Sequence, residues 1–213
     1  MITHIIWDYN GTVLDDVRAS VAAVNDMLAV RGLPPTDIET YRDTLDVPLE
    51  DYYAGLGFTD VDISKLSVEF RERVGAHPGL AGIFDGVREA VLEAKRRGIG
   101  NVLMSSLYQE YLDAEAEKYG LRELFDEITG MSDRRLGSKL ANCRAFMERH
   151  GLSADGLLFV GDLVSDAKTA KELGAKCVLI PNGHNSRARC AQVAQIADDP
   201  GELKKLIKTL QQR

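Results

Sequence analysis

Short apolar runs alternate with helix-like stretches along most of this chain, and this alternation constrains the fold more than any other feature. The strand-like runs cover residues 4–7, 99–104, 127–129, 157–160 and 176–180. The stretches with helical spacing of apolar residues cover 87–97, 108–119, 139–150, 165–173 and 201–210. Strands that alternate with helices predict a parallel sheet covered on both faces and connected by right-handed crossovers. The sequence therefore predicts an α/β fold with a doubly wound, Rossmann-like core.

A helical insertion follows the first strand. A stripe of apolar residues at steps of three and four predicts its first helix: Val17, Val21, Val24 and Leu28. Residues 35–78 form short helical pieces broken by turns, without a β-branched run long enough for a strand, and residues 79–86 are typical of a loop. The segment between the first two strands is therefore predicted to be mainly α-helical.

Composition excludes several classes of protein. The chain has 33 acidic and 26 basic residues and a net charge of −7, which argues against a nucleic-acid partner. Its longest apolar runs, such as 156–161, are far shorter than a membrane span, and no export signal precedes the first strand, so we expect a cytoplasmic protein with no membrane partner. We expect a monomer or a weak homodimer. The three cysteines lack the paired spacing of a metal or redox site and are predicted to be small core residues.

Polar residues stand where the predicted strands end, which is where parallel α/β sheets bind ligands. They are Asp8, Asn10, Gly11 and Thr12 after the first strand, Ser105 and Ser106 after the second, and Asp162 and then Asp166 after the strand at 157–160. Lys139 begins the helix in between. In chain order these residues supply a nucleophile, hydroxyl groups, a cation and an acidic pair, a set typical of phosphoryl transfer.

The chemistry explains these residue types. A carboxylate such as Asp8 attacks phosphorus only if the repulsion between two anions is removed, which a divalent ion and Lys139 can do. Mg²⁺ prefers about six oxygen ligands and commonly takes one or two carboxylates together with water and phosphate. Asp8 and Asp162 suit that role, with Asp166 ordering waters around the ion. Ser105 and backbone amides of residues 10–12 would bind the phosphoryl oxygens.

Each residue also has a simpler interpretation. Asn10-Gly11 is typical of a tight hairpin turn, Asp15 and Asp16 of helix caps, and Ser105 of a cap on the next helix. Lys139 could be a surface lysine, Asp162 and Asp166 ordinary loop acids, and His184 a plain loop histidine. Aromatic and basic residues of the insertion could contact a substrate or only pack within it, and they are left out of the predicted site: Arg42, Tyr52, Tyr53 and Arg71. The order of the strand-end residues, all at strand ends or helix starts, favours the functional interpretation.

Four motifs, IIWDYNGTVLDD, VLMSS, Lys139 and FVGDLVSD, resemble those of the haloacid dehalogenase superfamily of phosphohydrolases, closest to the phosphoglycolate-phosphatase-like branch. The resemblance implies a catalytic core at 1–15 and 86–213 and a helical cap at 16–85. It implies that Asp8 forms an aspartyl-phosphate, and that the metal ligands are Asp8, the backbone carbonyl of Asn10, Asp162 and Asp166. Phosphate binding would involve Gly11, Thr12, Ser105, Ser106 and Lys139.

One position departs from the family pattern. The usual motif is D-x-D-G-T, whose second aspartate transfers a proton, but this chain has Asn10 there. A carboxamide cannot transfer a proton at neutral pH, so we expect a slow enzyme unless Asp15, Asp16, His184 or an acidic leaving group compensates. The leading hypothesis is a Mg²⁺-dependent phosphatase of small phosphorylated metabolites. The alternative is a regulatory protein that binds a phosphate ligand with weak or no turnover; a dehalogenase or phosphonate-cleaving enzyme is a third, less favoured hypothesis.

Overall fold

A computed structural model describes residues 1–131 and 139–210. The strands are β1 (His4–Trp7), β2 (Leu14–Asp15), β3 (Gly82–Ile83), β4 (Gly100–Tyr108), β5 (Glu127–Met131), β6 (Leu157–Gly161), β7 (Lys176–Leu179) and β8 (Gln195–Ile196). The helices are α1 (Val17–Ala29), α2 (Ile38–Thr44), α3 (Leu49–Gly55), α4 (Ile63–Gly75), α5 (Val87–Arg96), α6 (Gln109–Lys118), α7 (Lys139–His150), α8 (Val164–Leu173), α9 (Arg187–Ala191) and α10 (Pro200–Thr209).

The main sheet has six strands in the order β5-β4-β1-β6-β7-β8, and every pair is parallel. β1 is central: Trp7 lies opposite Leu103 of β4 on one side and Val160 of β6 on the other. The connections turn in opposite directions on the two sides of β1, which leaves a crevice beyond its carboxyl end. The predicted doubly wound α/β fold is confirmed.

The second core strand is longer than predicted. β4 continues from Gly100 to Tyr108, so Ser105 and Ser106 lie inside the strand and not after it. Its register with β5 is regular up to Met104 and then shifts before Tyr108. The prediction that the strand ends at Met104 was wrong because an irregular strand end lacks the apolar periodicity on which such predictions depend.

Three two-residue strands and one short helix were not predicted. β2 and β3 form a small antiparallel pair, β8 extends the main sheet beside β7, and α9 has five residues. The predicted loop at 79–86 contains β3, and a 3-10 turn at Pro78–Leu80 precedes it. Segments this short show neither a period of two nor one of 3.6, so their sequences carry no usable signal.

Apolar side chains pack in separate clusters on the two faces of the sheet and within the helical insertion. Ile5 and Trp7 of β1 belong to one face of the sheet, and Ile6 belongs to the other. The insertion has its own cluster, in which Val17, Val21, Val24 and Leu28 are buried as predicted. Its separate cluster is consistent with a cap, while the boundaries at 16 and 85 stay a prediction. The cysteines are free, and Cys143 and Cys190 are buried as predicted.

No helix in residues 1–131 or 139–210 combines the length and apolar character needed to cross a bilayer.

Candidate active site

Three buried carboxylates meet at the carboxyl end of the central strands. Asp8 directly follows β1, Asp162 directly follows β6, and Asp166 lies in the first turn of α8. Each offers an oxygen within 4.8 Å of the others. Burial raises the pKa of Asp8 well above its usual range, since the attraction of Lys139 does not offset burial and the other carboxylates. Burial also raises the pKa of Asp162, to about 6.

Lys139 bridges two of these carboxylates. Its Nζ lies 2.6 Å from Asp8 Oδ1 and 2.6 Å from Asp166 Oδ1, and it is largely buried. Burial alone would lower the pKa of Lys139, but the attraction of Asp166 and Asp8 outweighs burial and holds the pKa above its ordinary value. The lysine is therefore charged, and the interpretation of Lys139 as a surface residue was wrong. The single positive charge of Lys139 is smaller than the combined negative charge of the three buried carboxylates.

The loop after β1 is not a hairpin, because β1 pairs with β4 and β6 and not with the segment that follows it. Gly11 adopts a φ of 72°, which favours glycine. A Cβ at Gly11 would collide with the Asp162 carboxylate and the His184 ring. The Thr12 hydroxyl donates to Asp162 Oδ1 at 3.1 Å. This loop holds Asp162 in place through close packing and a hydrogen bond.

The predicted phosphate contacts of two loop residues stay predictions. The amide of Gly11 donates to Leu14 O at 2.8 Å and to Asp16 Oδ1 at 2.9 Å, and the amide of Thr12 donates to Tyr9 O at 3.4 Å. In this loop conformation, both amides are directed to acceptors within the protein.

Asp16 and His184, for which the sequence allowed either a simple structural role or a role in compensating for Asn10, lie together in the site. The Asp16 carboxylate makes no capping bond to α1. It accepts from Asn10 Nδ2 at 2.8 Å and lies 3.1 Å from His184 Nε2. Burial alone would raise the pKa of Asp16, but His184 and the hydrogen bonds lower it below its usual range. Burial alone would lower the pKa of His184, but the attraction of Asp16 outweighs burial and raises this pKa to about 9.

His184 also connects the core to the insertion. Its Nδ1 lies 2.9 Å from the Tyr41 hydroxyl of α2, and its amide donates to Asp162 Oδ2 at 2.5 Å. The signal for His184 was its place after the last long strand, at the same sheet edge as Asp8. The sequence offered no comparable signal for Tyr41, because the insertion and the loop at His184 are far apart along the chain.

Ser105 is buried and does not cap α6. Its Oγ accepts from the amide of Leu107 at 3.1 Å, which leaves the hydroxyl proton able to donate to a ligand. Tyr108 occupies the N-cap position of α6. Ser105 and Ser106 both line the cavity that contains Asp8.

A cavity of about 470 Å³ lies between the sheet edge and the helical insertion. Its core side includes Asp8, Asn10, Ser105 and Lys139. The insertion contributes, among others, three residues that were left out of the predicted site: Tyr52, Tyr53 and Arg71. The fourth, Arg42, instead donates to the carbonyls of Gly183 at 2.8 Å and Asn182 at 2.6 Å, so it holds the loop that carries His184.

The donor set fits Mg²⁺. Asp8, Asp162 and Asp166 supply only oxygen atoms, which this ion prefers, and their charge exceeds what Lys139 neutralises. Glycine at 11 and at 183 leaves the Asp162 carboxylate the space it needs, because a Cβ at either position would collide with it. The three carboxylates are therefore candidate ligands for a hard divalent cation.

Known proteins are similar to this chain in sequence or in fold. A family model described as haloacid dehalogenase-like hydrolase matches residues 5–180. A phosphoglycolate phosphatase of Pseudomonas fluorescens is 28% identical over 215 residues, which cover 95% of this chain and 78% of that protein. A haloacid dehalogenase-like hydrolase from Streptococcus pneumoniae has a similar structure, with a TM-score of 0.82, 22% identity and coverage of 96% and 98% of the two chains. A predicted phosphatase from Clostridium acetobutylicum also has a similar structure, with a TM-score of 0.83 and 21% identity. The match covers 99% of this chain and 100% of that one.

Proposed function

The chain belongs to the haloacid dehalogenase-like hydrolase family, and on that premise we propose that it is a Mg²⁺-dependent phosphatase that hydrolyses a small phosphorylated metabolite. The observation that carries the proposal is the group of three buried carboxylates, within 4.8 Å of one another, beside Lys139. Asp8 and Lys139 line the cavity. The relative named phosphoglycolate phosphatase supports the same class of reaction.

Asp8 is the proposed nucleophile. Its carboxylate oxygen forms a bond to phosphorus while the bond from phosphorus to the ester oxygen breaks, and the leaving alcohol takes up a proton. Water then forms a bond to phosphorus as the bond to Asp8 breaks, which releases phosphate and restores the carboxylate. Lys139 reduces the repulsion between Asp8 and the phosphate because its Nζ lies 2.6 Å from the Asp8 carboxylate.

Other residues of the chain hold the reacting groups. Ser105 would donate its hydroxyl proton to a phosphoryl oxygen, with Ser106 beside it in the cavity lining. Asp8, the Asn10 carbonyl, Asp162 and Asp166 would hold Mg²⁺ directly or through water. When bound, the ion supplies positive charge that neutralises the phosphate and the carboxylates.

Asn10 supports a second candidate function. Its side chain donates to Asp16 and cannot protonate a leaving group. A chain with this substitution that binds phosphate esters without releasing phosphate would be a regulatory binding protein.

The direct test is phosphate release from p-nitrophenyl phosphate, acetyl phosphate and a panel of phosphorylated metabolites, with Mg²⁺ and with EDTA. We expect release that requires Mg²⁺ and falls at least 10³-fold in Asp8→Asn, because the variant lacks the nucleophile. Asp60→Asn, which changes an exposed aspartate of the insertion, serves as the control. Parent-like turnover by Asp8→Asn contradicts the assignment of the nucleophile. Tight ester binding without release by the parent protein supports the regulatory candidate.

A further inference from the structure

The cavity above Asp8 has mainly apolar walls. The insertion lines it with apolar and aromatic side chains, among them Leu45, Leu49, Tyr53, Ile63, Phe70 and Val74. The core adds Leu14, Leu107 and Tyr111. A volume of about 470 Å³ with such walls is typical of a site for a ligand that has an apolar body.

The cavity offers few charges for a second anionic group of a substrate. Apart from Arg71, each basic residue in its described lining pairs with a carboxylate of the protein: Lys139 with Asp8 and Asp166, His184 with Asp16, His77 with Asp26 and Lys118 with Glu115. The Arg71 guanidinium lies over the Tyr111 ring, 3.7 Å from its centroid. A phosphorylated two-carbon acid would therefore find one stacked arginine for its carboxylate and walls that are mainly apolar.

Tyr52 adds to this apolar wall. It is 6% exposed, and its hydroxyl oxygen is sealed from solvent and has no hydrogen-bond partner among the described residues. Tyr52 therefore lines the cavity through its other atoms and presents no accessible polar group there.

We propose that the substrate is the phosphate monoester of an uncharged, mainly apolar alcohol that carries one ring. This inference rests on the proposed phosphatase function and specifies its substrate class. The phosphate lies at Asp8 and Lys139, and the ring lies among the apolar side chains of α3, α4 and α6.

Binding of phosphonates, in which a carbon replaces the ester oxygen so that no P–O–C bond can be hydrolysed, tests the inference without depending on turnover. In Mg²⁺ buffer, calorimetry compares 3-phenylpropylphosphonate, propylphosphonate and 3-phosphonopropionate. We expect the phenyl compound to bind at least tenfold more tightly than the other two, because only its ring displaces water from the apolar walls. Equal affinities of the phenyl and propyl compounds, or tightest binding of the carboxylate, would overturn the proposal.

Turnover is measured separately on 2-phenylethyl phosphate and ethyl phosphate, whose leaving groups are similar alcohols. Hydrolysis without a preference for the phenyl ester contradicts the substrate class but leaves the phosphatase function intact. A tenfold phenyl preference in phosphonate binding without any hydrolysis contradicts the phosphatase function and supports the apolar site.

Two valines of α4 provide a matched pair of variants. Val74 lines the cavity, whereas Val68 is 41% exposed and is not among the cavity-lining residues described. Val74→Phe should reduce the phenyl-to-propyl affinity ratio at least fivefold because the larger side chain occupies the ring's space, and Val68→Phe should keep the parent ratio. If Val74→Phe does not fold, Ser67→Leu at another lining position replaces it. An unchanged ratio in the folded lining variant contradicts the assigned ring site.

Discussion

At the scale of single residues, the side chain of Asn10 is fixed by a carboxylate. Its Nδ2 lies 2.8 Å from Asp16 Oδ2. Asn10→Asp would replace this hydrogen bond with two facing carboxyl groups and so destabilise the loop, but it would also supply a group that can transfer a proton. We expect kcat to rise about 10²-fold while Tm falls by several degrees, measured by phosphate release and thermal unfolding.

Asn10→Ala is the control for that variant. It removes the hydrogen bond to Asp16 without adding a carboxyl group, so Tm should fall and kcat should not rise. A kcat of Asn10→Asp no higher than that of the parent would show that proton transfer at position 10 does not limit turnover.

Tyr52 and Tyr41 should respond in opposite directions to the same change. Tyr52→Phe removes a buried hydroxyl without a partner among the described residues, so the ligand-free protein should become more stable by about 1 kcal/mol, or roughly 2–4 °C in Tm. Tyr41→Phe removes a hydroxyl 2.9 Å from His184 Nδ1 and should lower Tm by a similar amount. Equal destabilisation by both variants, measured by calorimetry, would mean that water satisfies Tyr52.

The sequence identifies catalytic candidates where strand order brings them together. Asp8, Lys139, Asp162 and Asp166 each stand at a strand end or helix start, so an α/β sheet necessarily collects them at one edge. Asp16 could be named only as one of several alternatives, because an aspartate before a helix is explained equally well by capping. Only the three-dimensional contacts of its carboxylate distinguish the two roles.

At the scale of secondary structure, α5 illustrates a local source of stability that depends on pH. Glu93 accepts hydrogen bonds from Arg96 at 2.7 Å and Arg97 at 2.8 Å on the same helix. These bonds hold the pKa of Glu93 at about 2, below its ordinary value of 4.5. A carboxylate with a lowered folded-state pKa stabilises the fold above pH 4.5, and this contribution is lost as pH falls towards 2.

Glu93→Gln should therefore lower Tm modestly at pH 6, and the difference from the parent protein should shrink as pH falls below 4.5. Thermal unfolding between pH 6 and pH 3.5 measures this convergence. Glu123→Gln, which changes an exposed glutamate in the turn after α6, is the control and should follow the parent at every pH. A Tm difference that stays constant with pH would mean that the effect comes from packing and not from charge.

The length of an element decides whether its sequence predicts it. Helices such as α1 and α7 span several turns and repeat an apolar spacing, which made their positions predictable. β2, β3 and β8 have two residues each, and their positions depend on which strand they meet. The end of β4 was also not predictable, because it is defined by a shift in register against β5, and strand pairing leaves no local signal in the sequence.

At the scale of the whole molecule, contacts between distant segments close the cavity. Arg42 of α2 bonds to carbonyls at 182 and 183, and Arg71 of α4 stacks on Tyr111 of α6. The sequence predicted a helical insertion and a core but not how the two pack together. Each of these contacts depends on a single arginine, and a single residue carries no periodic signal. The shape and apolar character of the cavity were therefore beyond sequence analysis, although Asp8 and Lys139 in its lining were predicted site residues.

Binding of Mg²⁺ at the three carboxylates, as proposed, should make the stability of the whole molecule depend on this ion. Binding to the folded state alone raises the free energy of unfolding by about 2.7 kcal/mol at a hundredfold excess over Kd, or roughly 5–10 °C in Tm for a chain of this size. Asp8→Asn removes one of three mutually repelling carboxylates, so the variant should have an equal or higher Tm in EDTA and a much smaller increase with Mg²⁺. Asp60→Asn should retain the parent increase, because Asp60 is exposed and lies in the insertion. Equal Mg²⁺-dependent increases in both variants would place the ion away from Asp8.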